Sequence, residues 1–144
     1  MSDRSELIEL HNRLSKTLDE ERVVAREKRY EKGYRTAREN LDDLVDKDSF
    51  VEYGQLAIAA QKSRRGLEEL RTETAADGII TGFGKINSEI LDDKKALSAI
   101  IINDYSVLAG TQGYYHHKKL DRICETAEKQ NLPVVMYTEG GGGR

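Results

Sequence analysis

Apolar residues in the first quarter of the chain recur at helical spacing. Leu7, Leu10, Leu14 and Leu18 stand three and four residues apart, one stripe of a single long helix predicted over residues 3–32. Asp3 with Glu6 reads as a capping box at its start. From Asp19 to Lys32 the pattern is almost wholly charged, with Val23, Val24, Ala25 and Tyr30 left to bury, so this half reads as a solvated surface helix that stops at Gly33. A second, short helix is predicted over 36–46, with Thr36 as N-cap, Glu39 completing a capping box, and Leu41, Leu44 and Val45 as its core face.

Beyond it the period changes. Residues 49–53 read as a strand, and 56–70 fit either helix or loop, with Lys62, Arg64 and Arg65 on a solvated face. Residues 79–86 read as a strand whose Gly82 and Gly84 mark a bulge or a close backbone approach. The polar stretch 87–95, with Asp92-Asp93, is a natural hairpin turn into the buried strand 96–103. A loop at 111–113 leads to a helix over 114–130 with Leu120, Ile123, Cys124 and Ala127 inward, then to a buried strand at 132–138 that tolerates Pro133 at its start. Strand, strand, helix, strand in that order indicates an α/β fold with at least one crossover between parallel strands.

Composition narrows the classes. The 144 residues suit one domain, with 38% hydrophobic and 34% charged residues. The 23 basic and 26 acidic residues leave a net charge of −3, which makes no electrostatic case for nucleic acid or a membrane surface. Cys124 is the single cysteine, so no internal disulfide forms and a reducing compartment is expected. Apolar runs such as 99–102 are far too short to span a bilayer. The acidic first residues lack the apolar core of a secretory signal and argue against a transit peptide, so a cytoplasmic location is expected.

Two stretches invite chemistry. Four glycines at 140–143 follow a strand and precede Arg144. Successive peptide N–H groups there can stabilise an oxyanion, at about 3–4 kcal/mol per donor in a water-poor site; the competing reading is a flexible linker. His116, His117, Lys118 and Lys119 open a helix after Gly113, a natural phosphate site; the competing reading is a solvated first turn. Adjacent helical histidines point about 100° apart, so this pair does not converge on one metal. No other cluster has zinc spacing, and no metal site is predicted. Cys124 belongs to the core face rather than to nucleophilic chemistry. A Gly-x-Ser-x-Gly elbow is absent, and Gly82-Phe-Gly-Lys has the wrong glycine spacing for a P-loop.

Four blocks then occur in order: Lys32-Gly-Tyr-Arg-Thr-Ala-Arg-Glu-Asn-Leu, Asp48-Ser-Phe-Val-Glu-Tyr-Gly, Ala76-Asp-Gly-Ile-Ile-Thr-Gly and Tyr105-Ser-Val-Leu-Ala-Gly-Thr-Gln-Gly. Leu132-Pro-Val-Val and Glu139-Gly-Gly-Gly-Gly-Arg follow. Over roughly residues 20–144 the chain resembles the N-terminal part of the carboxyltransferase subunits of biotin-dependent acyl-CoA carboxylases. The resemblance implies a crotonase-like (ClpP/crotonase) spiral of strand–strand–helix units, here incomplete. It divides the chain into an N-terminal helical segment, 1–47, and a partial carboxyltransferase N-terminal domain, 48–144. It implies transfer of a carboxyl group from carboxybiotin to the α-carbon of an acyl-CoA, with Gly141 and Gly142 holding the thioester oxygen. Gly110, Thr111, Gln112, Gly113, Gly140, Gly143 and Arg144 are then expected to line the substrate site, and His117, Lys118 and Lys119 to meet CoA. Biotin would arrive on a carboxyl carrier charged by a biotin carboxylase, and its freed ureido nitrogen is a plausible base. The full-length protein would be a homo-oligomer. Family members are a few times longer, so a truncated or partial product, inactive alone, is expected. The alternatives are an orphan CoA-binding or interaction module, a biotin-dependent decarboxylase, and a crotonase-type enzyme without biotin.

Overall fold

The two central strands read as near-continuous apolar runs because both faces of the sheet they form are covered. In the computed structural model, which describes residues 2–144 with side chains from Arg4 onward, β2 (Ile79–Lys85) and β3 (Leu97–Asn103) pair antiparallel, from Ile79 opposite Asn103 to Lys85 opposite Leu97. Strand β1 (Val51–Tyr53) pairs antiparallel with β2, and β4 (Val134–Tyr137) runs parallel to β3, giving the order β1-β2-β3-β4. The parallel crossover is made by helix α6 (Tyr114–Gln130), with the bounds expected from the sequence. It ends on Asn131, which takes the left-handed conformation common at helix C-termini (φ 52°).

Alternation within β3 sorts its residues between two cores. Ile100 and Ile102, with Ile80, pack against Ala37 and Leu41 of α3 (Ala37–Leu44). Ala99 and Ile101, with Ile79, pack against Ile123 and Ala127 of α6. Each isoleucine buried in this way contributes about 1.5–3 kcal/mol. Helix α3 starts as expected: Thr36 Oγ1 accepts from Glu39 N–H at 3.0 Å, and the Glu39 carboxylate accepts from Thr36 N–H at 2.7 Å. Gly82 marks a close approach, since a Cβ there would meet the Val51 carbonyl oxygen and the Phe50 ring. The stretch 56–70 is mostly loop, ending in α4 (Leu67–Glu73), and the polar turn before β3 closes with the short α5 (Asp93–Ala96).

Three expectations are corrected. Residues 3–32 form two helices, α1 (Ser2–Ser15) and α2 (Val23–Tyr30), not one. The break is fixed by tertiary polar bonds. The buried Thr17 hydroxyl donates to Leu14 O at 2.7 Å and accepts from Gln55 Nε2 at 2.7 Å, while Asp19 accepts from the Thr36 hydroxyl at 2.5 Å. The leucine stripe is not a core: Leu7 and Leu10 are exposed. The side chain of Asp3, on which the Asp3–Glu6 capping box depends, lies outside the described residues. Strand β4 is an edge strand with Val134, Met136 and Tyr137 exposed, although Val135 packs on the α3 side of the sheet. Cys124 is exposed, because the inner face of α6 is drawn by His116, Lys119, Ile123 and Ala127 instead. Among the described residues no helix is long and apolar enough to cross a membrane.

Candidate active site

The loop after β3 and the turn after β4 meet backbone to backbone, and glycine is what permits it. A Cβ on Gly110 would collide with the Glu139 carbonyl oxygen and come 2.9 Å from Gly140 Cα. One on Gly140 would sit 2.8 Å from Gly110 O, and one on Gly141 3.1 Å from Ala109 O. Two hydrogen bonds lock the seam: Gln112 N–H donates to Gly142 O at 2.7 Å and Arg144 N–H to Gln112 O at 2.9 Å. The Thr111 hydroxyl turns back to Leu108 O at 2.6 Å. Gly142 has φ +109° with open space on its Cβ side. Among the described residues the N–H groups of Gly141 and Gly142 have no hydrogen-bond partner. Two successive free peptide donors in a turn held by its neighbours are suited to an anionic oxygen.

The turn is clamped at both ends by ion pairs. Before it, Glu139 takes both arms of Arg29 from α2 at 2.7 and 2.8 Å, while Arg29 Nε donates to Arg35 O at 3.0 Å. Beyond it, Arg144 pairs with Asp77, whose side chain is fully buried. The same guanidinium donates to the Thr111 carbonyl and stands 3.3 Å from Thr111 Oγ1. Asp77 also accepts from His116 N–H at 2.8 Å. The His116 ring is buried with Nε2 unpartnered, and burial lowers its pKa. Lys119 is buried beside them. Its ammonium donates to Ala76 O at 2.8 Å and to Ile79 O, and burial pushes its pKa down to about 8.

The structure thus brings Gly110, Thr111, Gln112 and Gly113 into one site with Gly140, Gly141, Gly142, Gly143 and Arg144. It divides the helical group. His117 and Lys118 are exposed, with Lys118 Nζ 5.5 Å from the centre of the Tyr114 ring, whereas Lys119 is turned inward onto carbonyl oxygens. Arg144 is likewise a tie to Asp77 rather than a free cation. Asp77, Arg29 and Glu139 are neighbours of the turn that sequence reasoning missed. Asp77 lay in a quoted block, but its partner is 67 residues away, and Arg29 lay in a stretch read as solvated. A second cleft, of about 400 Å³, lies at α2 and carries both signs of charge: Lys28 and Lys32, Glu21 and Glu73, and Arg22 and Arg29, which are paired with Asp104 and Glu139. Among the described residues no three of His, Cys, Asp and Glu are placed to hold a metal ion.

Comparison with known proteins bears on this geometry. The family model described as "Carboxyl transferase domain" matches residues 28–144. The chain is 34% identical over 138 residues to the biotin-dependent acetyl-/propionyl-coenzyme A carboxylase beta5 subunit of Mycobacterium leprae, covering 96% of this chain and 23% of that protein. It is 32% identical to the methylmalonyl-CoA decarboxylase subunit alpha of Veillonella parvula, covering all of this chain and 26% of that one. It superposes with a TM-score of 0.94 and 50% identity on a single-chain, multi-domain long-chain acyl-CoA carboxylase, covering 96% of this chain and 14% of that one. The chain therefore spans about a quarter or less of the proteins it matches. Its structural neighbours are carboxyltransferases with the crotonase-like fold, as the sequence blocks implied.

Proposed function

Since this chain belongs to the carboxyl transferase domain family, we propose that it is the acyl-CoA-binding part of an acyl-CoA carboxylase carboxyltransferase. The observation that carries this reading is the pair of unpartnered N–H groups on Gly141 and Gly142 in a turn clamped at both ends. The α-proton of a thioester leaves readily only when the resulting enolate oxygen is stabilised. Donors fixed in advance do this without reorganisation during the reaction. Gly110, Thr111, Gln112, Gly113, Gly140 and Gly143 shape the floor of that site. Arg144 holds the turn in place, and Lys119 fastens α6 to the 76–79 segment.

Carboxybiotin, brought by a carrier protein charged by a biotin carboxylase, would supply the carboxyl group and a nitrogen base, while this chain's own part is to hold the thioester oxygen at the Gly141 and Gly142 N–H groups. No residue of this chain is assigned to biotin. His117 and Lys118 offer charge to the CoA phosphates, and Lys28 and Lys32 across the cleft at α2 are the rival surface for them. Residues 48–144 carry the site, with 1–47 as a helical cover that contributes α3 to the core. A homo-oligomeric assembly is proposed for the longer protein. The likeness to a decarboxylase subunit supports a second reading, since the same enolate arises when an acyl-CoA loses rather than gains a carboxyl group.

The 144-residue chain is expected to bind propionyl-CoA in calorimetry but to show no malonyl-CoA decarboxylation stimulated by free biotin. Turnover would overturn its role as a binding part only, and absence of any acyl-CoA binding would overturn the thioester site.

A further inference from the structure

Helix α6 starts at Gly113, which has no side chain to cap the helix. A Cβ there would lie 2.9 Å from the Arg144 guanidinium, so the position is reserved for that group and the cap comes from elsewhere. Asp77 supplies it from 39 residues away, accepting from the N–H of His116, the third residue of α6. A carboxylate is favoured there by the helix dipole as well as by the hydrogen bond. Its other oxygen holds Arg144, whose second arm holds Thr111. One buried carboxylate thereby joins the start of α6, the loop at 111–113 and the far end of the glycine turn.

We propose that Asp77 is a positioning residue for the oxyanion-binding turn. Acting through Arg144, it sets the direction of the Gly141 and Gly142 N–H groups without itself touching the substrate. This rests on reading that turn as the thioester site. The geometry separates the two duties of the carboxylate. An amide at 77 retains an oxygen for the His116 N–H, but its NH₂ group faces a guanidinium that also only donates. Asp77→Asn therefore breaks the Arg144 tie and spares the helix cap.

The test compares propionyl-CoA with S-propyl-CoA, a thioether that lacks the carbonyl oxygen, by calorimetry on the 144-residue chain. The unaltered chain is expected to prefer the thioester by about 5- to 10-fold, the scale of one or two net hydrogen bonds. Asp77→Asn and Arg144→Gln are each expected to reduce the preference below about 2-fold, and the double variant to do no more, because both cut one link. Binding of the thioether itself stays within about 2-fold, a split that general loosening of the fold would not produce. In amide spectra the signals of Gly141–Gly143 move in both variants while those of Tyr115–His117 hold.

Retention of the thioester preference and of the glycine signals in either folded variant would overturn the positioning role and leave the thioester site standing. No preference in the unaltered chain would overturn the thioester site and the proposal with it. Should Asp77→Asn fail to fold, Arg144→Gln, which cuts the same tie and leaves Asp77 on the His116 N–H, carries the comparison alone.

Discussion

Two corners of this molecule have the same backbone shape and opposite surroundings. Residues 76–78 and 108–110 are each three successive residues in the left-handed region ending in glycine, with φ of 52°, 50° and 75° in the first and 49°, 54° and 65° in the second. A non-glycine residue held there costs about 1–2 kcal/mol, so the surrounding structure must over-determine both corners. The first is wholly buried, and its Asp77 fastens α6 and Arg144. The second is half open, with Ala109 exposed and Gly110 pressed against the glycine turn. One strained corner ties α6 to Arg144, while its twin packs against the glycine turn.

The comparison can be broken most sharply at Gly110. Gly110→Ala drives a methyl into the Glu139 carbonyl and is expected to lose about 3–5 kcal/mol in chemical denaturation, as overpacking and a strained φ combine. Gly142→Ala meets open space, so only its positive φ counts, and a loss of about 1–2 kcal/mol is expected. Equal losses at the two positions would mean that the seam is looser than described.

The buried corner can be probed through Lys119, which donates to Ala76 O and Ile79 O. Its pKa is about 8 in the folded chain and about 10.4 when unfolded. Between those values the unfolded chain binds more protons, so this group makes stability rise with pH across about 8 to 10.5. Relative to Lys119→Met, the unaltered chain should gain up to about 3 kcal/mol over that window, read from denaturation midpoints at each pH. A flat difference would place the ammonium in water. The smallest effect separates the twins directly. Ala109→Gly relieves strain at an exposed position and should change stability by between about 0 and +1 kcal/mol. Ala76→Gly gives the same relief but loses a buried methyl, so it should fall below Ala109→Gly by about 1 kcal/mol.

Much of this architecture was legible in the residues. The Thr36–Glu39 box, the apolar runs of β2 and β3 and the helix after Gly113 are local signals, and each formed where its pattern placed it. The glycine loop and the glycine turn were also legible as candidates. What stayed hidden was mutual. That Gly110 faces Gly140, or that Asp77 reaches Arg144, depends on strand pairing across distant residues. The α1–α2 break was hidden for the same reason, since Thr17 and Asp19 bond to Gln55 and Thr36. Lys119 shows the limit most plainly: beside Lys118 in sequence, it points to the other face of α6, and only the packed 76–79 segment explains a buried amine.

The central claim is that the Gly141 and Gly142 N–H groups receive a thioester oxygen. The most direct measurement is an amide NMR titration of the isotopically labelled chain with propionyl-CoA and, in parallel, with S-propyl-CoA. The Gly141 and Gly142 proton signals are predicted to move downfield with the thioester and to stay nearly fixed with the thioether. Identical shifts with both ligands, or shifts confined to α6 and the α2 cleft, would contradict the account.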